Sequence, residues 1–258
     1  MLGGRPAGFV ARQLLEPANY RSLWAIPRVS TQPLRFARAY FLGGGVYPWR
    51  CSVRTPQGVV SPTTYSHHDV FTVQEIFCRG DYRLPADARV VVDIGSNIGI
   101  SALYFLTRSP AVRVHLFEPD PRNAERLRAN LAPFQGRWTL NQEAVGDRDG
   151  IVSFGREPTG RYGGVGVAGA EQIEVPCRHV DNVLREVLVR DGRIDFVKID
   201  TEGLETATVA AMDRSLLGAI GCVCFETRTP FNPWPERFAM SFSAETCRLL
   251  ARPDSPTS

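Results

Sequence analysis

The stretch VVVDIGSNIGI, Val90–Ile100, decides the fold. Its apolar run predicts a buried strand, its two glycines predict a tight turn, and its last residues predict the start of a helix. Asp93 stands where the strand ends, and the carboxyl ends of strands are where open α/β sheets bind ligands. Because a buried carboxylate is costly without a partner, the sequence raises the question of what pairs with Asp93.

Strand and helix patterns alternate from Ala88 onward. Strand patterns occur in RVVVDI, VRVHLFEP, WTLNQEAV, IVSFG, QIEVPCR, IDFVKID and AIGCVCFET, and helix patterns in NIGISALYFLTR, PRNAERLRANLA, VDNVLREVLVRDG and LETATVAAMD. RFAMSF and ETCRLLAR predict a closing antiparallel hairpin. This alternation predicts an α/β fold with a doubly wound, mostly parallel sheet.

The first 85 residues have a different pattern and predict a mixed α/β cap, with the ligand-binding domain at residues 86–258. AGFVARQLLE and PLRFARAYFL have helical spacing, and RCSVRTPQGVVS predicts a hairpin around its Pro-Gln-Gly turn. Ser66 followed by Asp69 is typical of a helix start, and that helix is expected to end near Gly80.

The turn chemistry favours S-adenosylmethionine over a dinucleotide. Glu118, 25 residues after Asp93, has the position of an acid that binds ribose hydroxyls. Asn97, however, replaces a glycine of the dinucleotide pattern, and Asp93 would repel a diphosphate. A cationic ligand without phosphate suits Asp93, through an ion pair or a charge-assisted hydrogen bond. The alternative is that Asp93 caps the following helix.

Six motifs in order carry a family resemblance. VVDIGSNIGISALYF, FEPDPRNAERLRANL, EAVGDRDGIVSF, VDNVL, IDFVKIDTEGLE and CFET together resemble the FkbM family of methyltransferases over roughly residues 65–228. The resemblance implies a class I, Rossmann-like, S-adenosylmethionine-dependent methyltransferase. Such enzymes transfer to oxygen on sugars or on secondary metabolites such as polyketides.

The resemblance also implies the donor site, residue by residue. The turn would line the methionine part, Glu118 would bind the ribose, the residues after the third strand would lie near adenine, and Asp200 would lie beside the transferring methyl. The cofactor-binding residues are therefore expected to be Asp93, Gly95, Ser96, Asn97, Gly99, Glu118, Glu143 and Ala144.

Methyl transfer to a hydroxyl needs a base that removes its proton. His68, Asp69 and Asp200 are the candidates that we select, although SHHD is also an ordinary helix entry. Asp200, Glu202 and Glu226 end neighbouring strands, so a divalent ion is conceivable, but separate structural roles are favoured. Lys198, the only lysine in the chain, is expected inside the sheet or paired with a neighbouring acid.

The composition of the chain bears on its cellular compartment and its partners. No signal peptide pattern or apolar span is present, and the six cysteines form no C-x-x-C pair, so a cytoplasmic protein with reduced thiols is expected. Residues 1–54 hold eight arginines and one acid, which suits a solvated face or an acidic partner. The expected partner is a small-molecule acceptor, and a homo-oligomer is compatible with the sequence.

Two rival functions stay open. The basic arm keeps nucleic-acid methylation as an alternative, and a non-catalytic binding subunit that retains the fold is the other. The glycine-rich TGRYGGVGVAG suits either a lid over the acceptor or a simple hairpin tip.

Overall fold

The computed structural model describes residues 17–43, 45–156, 164–165 and 171–253. The chain divides into two compact units, Met1–Asp81 and Tyr82–Ser258. The predicted helix AGFVARQLLE and most of the glycine-rich TGRYGGVGVAG lie outside the described residues. No helix in the described ranges is long and apolar enough to cross a membrane.

The N-terminal unit mixes helices and short strands, as predicted. Its elements are α1 Pro17–Val29, α2 Pro33–Leu42, β1 Trp49–Arg50, β2 Val53–Thr55, β3 Gly58–Val60, β4 Thr63–Thr64, α3 His67–Val73 and a π-helical segment Gln74–Arg79. Strands β2 and β3 form the predicted hairpin, and β1 pairs with β4. The helix predicted in PLRFARAYFL is confirmed as α2.

The start of α3 is a capping box, which confirms the predicted helix signature. The Asp69 amide donates to Ser66 Oγ at 3.3 Å, and the Asp69 carboxylate accepts from the Ser66 amide at 2.9 Å. These reciprocal bonds satisfy amides that a helix start leaves without intrahelical partners. The helical segment ends at Gly80, as expected from the sequence.

A seven-stranded sheet forms the centre of the second unit. Its strands, in chain order, are β5 Val90–Ile94, β6 Arg113–Phe117, β7 Trp138–Asn141, β12 Phe196–Ile199, β13 Cys222–Glu226, β14 Phe238–Ser243 and β15 Thr246–Ala251. They lie in the order β14-β15-β13-β12-β5-β6-β7. All pairs are parallel except those made by β15, whose hairpin with β14 confirms the predicted ending.

The strand order reverses between β5 and β12. The chain first builds outward from β5 to β7, then returns to the other side of β5 and builds outward through β12 and β13. Because parallel crossovers are right-handed, the two halves place their helices on opposite faces. The doubly wound, mostly parallel fold is therefore confirmed, and its ligand crevice is expected at the carboxyl ends of β5 and β12.

Among the described residues, four helices connect these strands: α4 Ile100–Leu106, α5 Pro121–Leu131, α6 Val180–Asp191 and α7 Glu205–Ala210, with short 3-10 turns at Ala132–Phe134 and Arg214–Ala219. Every residue of α4 is buried, which is typical of a helix that packs against a sheet inside a core. The strand β5 is also buried along its whole length.

A second sheet corrects one prediction. It has the order β10-β9-β11-β8 and consists of β8 Ala144–Gly146, β9 Gly150–Arg156, β10 Gly164–Val165 and β11 Glu171–His179. The single strand predicted in WTLNQEAV is wrong, because its first half is β7 in the large sheet and its second half is β8 in this one. Neither glycine nor proline marks the break, so the sequence pattern is continuous across it.

Candidate active site

The turn after β5 is tied to the end of β6. The amides of Gly95 and Ser96 both donate to the carbonyl of Phe117 at 3.0 Å. Gly95 and Gly99 have φ values of 76° and 85°, and Asn97 adopts 48°. These left-handed conformations favour glycine and are tolerated by asparagine. The turn therefore lies at the switch point of the sheet, where the sequence predicts a ligand-binding site.

Gly95 also lies directly against the end of β12. A Cβ added to Gly95 would overlap the carbonyl oxygen of Asp200. The Asp200 amide in turn donates to the carbonyl of Ile94 at 3.1 Å. The absence of a side chain at Gly95 is what lets these two strand ends meet.

Glu118 is buried beneath the same turn and is only 4% exposed. Its Oε2 accepts from the Asn97 amide at 2.8 Å, and its Oε1 accepts from the Asp120 amide at 2.9 Å. Burial raises the pKa of Glu118 to about 7, against the opposing effect of these two bonds. Because a carboxylate accepts about four hydrogen bonds, Glu118 keeps acceptor capacity for two ligand hydroxyls.

Asp93 has a partner inside the protein. Its carboxylate is fully buried, accepts from Ser101 Oγ at 2.6 Å and forms an ion pair with Lys198, whose Nζ lies 3.1 Å from Oδ1. Lys198 Nζ also donates to the Gly95 carbonyl at 3.0 Å. The expectation that Lys198 is buried and paired with an acid is confirmed. The partner of the Asp93 carboxylate is therefore an ammonium of the protein itself, whereas the sequence favoured a cationic ligand in this role.

Asp200 is the second carboxylate on Lys198, with Nζ 3.3 Å from Oδ2. The Tyr82 hydroxyl lies 3.5 Å from Asp200 Oδ2 and 3.4 Å from Glu226 Oε1, and these two carboxylates share its single proton as acceptors. Burial alone lowers the pKa of Lys198, but the carboxylates of Asp93 and Asp200 outweigh it and hold the pKa above its ordinary value. One ammonium between two carboxylates leaves a net negative charge. Asp200, with 28% of its side chain exposed, is the more accessible of the two.

Glu143 and Ala144 lie where the chain passes from the large sheet to the second one. Glu143 forms an ion pair with Arg178 at 3.1 Å, and Arg178 also contacts Glu186 at 2.7 Å. Ala144 is buried at the start of β8, opposite Cys177 of β11. The Glu143 carboxylate is therefore held by a neighbouring arginine.

His68 and Asp69 belong to the N-terminal unit. The Asp69 carboxylate is engaged by the amides of Tyr65 at 2.6 Å and Ser66 at 2.9 Å. The His68 ring lies 4.9 Å from the ring of His67 and 6.3 Å from that of Phe71. Asp69 thus has a structural task in capping α3, while His68 sits among aromatic neighbours.

Tyr82 and Ser101 contribute to the site but were not selected from the sequence. Ser101 lies in the first turn of α4, two residues after Gly99, and Tyr82 precedes β5 by eight residues. Ser101 lies within the first of the six motifs but at a position without a recognised chemical role, and Tyr82 lies outside all six. The sole lysine was a usable signal, since a single buried cation requires nearby acids. Within the described ranges no group of three or more His, Cys, Asp or Glu residues is placed to hold a metal ion.

Comparison with known proteins supports a methyltransferase. Residues 93–229, just over half of the chain, match the family model described as the methyltransferase FkbM domain. The chain is 28% identical over 207 residues to the AMB antimetabolite synthetase AmbE of Pseudomonas aeruginosa, a match that covers 65% of this chain and 10% of that protein.

Two further relatives have names that specify methylation of oxygen. The 2-O-methyltransferase NoeI of Sinorhizobium fredii is 43% identical over 65 residues, 25% of this chain and 26% of NoeI. The 31-O-demethyl-FK506 methyltransferase FkbM of Streptomyces tacrolimicus is 33% identical over 106 residues, 39% of this chain and 40% of that protein. The chain thus matches less than half of the length of each of these three relatives.

Proposed function

The chain belongs to the methyltransferase FkbM domain family, and from this premise we propose that it transfers a methyl group to a hydroxyl oxygen of a small molecule. Membership of this family implies S-adenosylmethionine as the methyl donor. When bound, that cofactor supplies an electrophilic methyl group on a cationic sulfur. The proposed acceptors are sugars or secondary metabolites, and the six unpaired cysteines support a cytoplasmic setting.

The proposed donor site is the crevice at the glycine turn. The residues that we assign to it are Asp93, Gly95, Ser96, Asn97, Gly99, Glu118, Glu143 and Ala144. Glu118 fits a ribose because its buried carboxylate has acceptor capacity beyond its two backbone donors. Asp93 acts indirectly in this proposal, by fixing Lys198 and through it the Gly95 carbonyl.

Asp200 is the first proposed general base for the acceptor hydroxyl. Its carboxylate is partly exposed at the end of β12 and is oriented by Lys198 Nζ and the Tyr82 hydroxyl. A fixed carboxylate can accept the proton of an attacking hydroxyl, and it favours a cationic donor nearby. His68 is the second proposed base, whereas we assign Asp69 to the helix cap because two amides already engage it.

The names of two relatives support oxygen as the acceptor atom, since NoeI and FkbM are both O-methyltransferases by name. Because the chain matches only part of each, the acceptor itself is a proposal. Transfer to nucleic acid is the competing outcome that an assay must include.

The test has two stages. Calorimetric titration with S-adenosylmethionine, S-adenosylhomocysteine and NAD is expected to show binding of the two adenosyl ligands and not of NAD. Mass spectrometry then follows methyl addition to a panel of sugars, hydroxylated polyketides and tRNA. Methylated tRNA with unmodified small molecules would contradict the proposal, as would failure to bind either adenosyl ligand.

Asp200→Asn separates catalysis from donor binding. Loss of a general base is expected to lower kcat about 10²–10⁴-fold, while the Kd of S-adenosylhomocysteine, whose sulfur is neutral, changes little. Asp87→Asn is the matched control, because Asp87 is an exposed acid outside the site. Equal kcat values in the two variants would remove Asp200 from the mechanism, and His68→Gln would then test the second base.

A further inference from the structure

The N-terminal unit contains a cavity that methyl transfer does not explain. Its volume is about 400 Å³, within the range of small-molecule sites. It lies between helix α2 and the segment that leads into β1. Its walls are Arg35, Arg38, Ala39, Gly45, Val46, Tyr47 and Trp49.

Two arginines supply positive charge to this cavity. Arg35 and Arg38 lie one helical turn apart on α2, and both residues are exposed. The Arg35 guanidinium lies 4.7 Å from the centre of the Trp49 ring, so a cation–π contact holds it in place. Across the part of the chain that the structure describes, neither arginine forms an ion pair.

Two buried hydrogen-bonding groups in the wall also lack partners. Trp49 Nε1 and the Tyr47 hydroxyl are shielded from water and find no hydrogen-bond partner among the described residues. A buried polar group without a hydrogen-bond partner is costly, so such groups call for an explanation. Gly45 makes room for the phenol, since a Cβ there would lie 3.3 Å from the Tyr47 hydroxyl.

One acid, Asp69, acts on the wall of this cavity without lining it. Asp69 raises the pKa of Tyr47 electrostatically, second only to burial, while Arg35 lowers it. The Asp69 carboxylate is nevertheless committed to the amides of Tyr65 and Ser66. The lining residues therefore include two cations and no carboxylate.

We propose that this cavity binds the oxyanion of a small molecule, a phosphate ester or a carboxylate, whose remaining part is apolar. Arginine suits both oxyanions through its paired N–H donors. The volume exceeds what an oxyanion alone fills, and Val46, 83% exposed, offers apolar surface at the rim. The inference is independent of the proposed methyl transfer.

Tryptophan indole resonances provide a direct readout on the full-length chain. With four tryptophans, the ¹⁵N-labelled protein gives four indole N–H signals, and Trp49→Phe identifies that of Trp49. Phenyl phosphate, benzoate and phenol are titrated at constant ionic strength, because screening alters exposed charges. We expect phenyl phosphate, benzoate or both to shift the Trp49 signal, the tighter ligand identifying the oxyanion, and phenol to have a far weaker effect.

Arg35→Gln combined with Arg38→Gln tests the role of charge, with calorimetry giving Kd independently of the indole assignment. Loss of charge-assisted bonds is expected to weaken binding about tenfold or more. The matched control is Arg128→Gln with Arg190→Gln, which removes two exposed arginines near the ends of α5 and α6. Unchanged affinity in the α2 variant, equal weakening in the control, equal binding of phenol, or binding of neither anion would overturn the proposal.

Discussion

The ion pair between Asp93 and Lys198 shows how a buried carboxylate obtains its partner from a distant part of the chain. Asp93 and Lys198 stand opposite each other in the register of β5 and β12, and neighbouring residues in register project to the same face. Their separation along the chain is 105 positions, so no local pattern connects them. The sequence could predict that Asp93 needs a partner, but only strand order and register identify that partner.

Lys198→Met tests this pair. Removing one member of a buried ion pair leaves the other uncompensated, which typically costs about 3–5 kcal/mol in the free energy of unfolding. Urea unfolding should show this loss for Lys198→Met and recover part of it when Asp93→Asn is added. If the single variant lost less than about 1 kcal/mol, the size expected of an exposed pair, the ion pair would have no structural weight.

Glu118 predicts an unusual dependence of stability on pH. Its ordinary pKa is 4.5, and burial raises it to about 7 in the folded protein. Between these values the folded protein keeps a proton on Glu118 that the unfolded chain has released. The free energy of unfolding therefore falls as the pH rises through this window, by about 3 kcal/mol from this group.

Glu118→Gln removes that titration. In urea unfolding from pH 4.5 to pH 8, the free energy of unfolding should decline less for the variant than for the natural chain. At pH 8 the variant should also bind S-adenosylhomocysteine more weakly than the natural chain does. Glu125→Gln, an exposed position on α5, should retain the natural slope. Identical slopes in all three proteins would mean that Glu118 titrates at its ordinary pKa.

At the scale of elements, the meeting of β5 and β12 depends on Gly95. Gly95→Ala and Gly192→Ala impose the same backbone strain, because their φ values are 76° and 74°. Nothing lies within 4 Å of a Cβ at Gly192, whereas one at Gly95 would overlap Asp200. This strain alone lowers the free energy of unfolding by about 1–2 kcal/mol.

Gly95→Ala should therefore cost about 1–3 kcal/mol more than Gly192→Ala in urea unfolding, since overpacking is added to strain. It should also weaken the binding of S-adenosylhomocysteine, which Gly192→Ala should leave unchanged. Equal losses in both variants would show that the close approach of the two strand ends has no energetic consequence.

The sequence predicted most elements because each carries its own periodic pattern and flanking turn residues. The alternation of strands and helices, the capping box at Ser66 and the closing hairpin all depend on neighbours in the chain. The break between β7 and β8 depends instead on which sheet each half joins. No local residue preference encodes that choice, so WTLNQEAV was predicted as one strand.

For the whole molecule, a single lysine buried at the candidate site provides a built-in probe. Lys198 is 2% exposed, so an amine-reactive reagent can reach it only after the surrounding structure opens. A ligand that binds only the folded protein lowers the opened population by the factor 1 + [L]/Kd. Labelling of Lys198 therefore reports both stability and occupancy of the site.

S-adenosylhomocysteine at a hundred times its Kd is expected to slow Lys198 labelling about 100-fold, measured by peptide mass spectrometry. Arg128→Lys introduces an exposed lysine on α5 into the same molecule, and its labelling rate should not respond to the ligand. Slowing at both lysines would indicate an effect on the reagent. If calorimetry confirms binding but the labelling rate at Lys198 is unchanged, Lys198 reacts through an opening that leaves the ligand bound. The cofactor crevice would then have to lie elsewhere on the sheet.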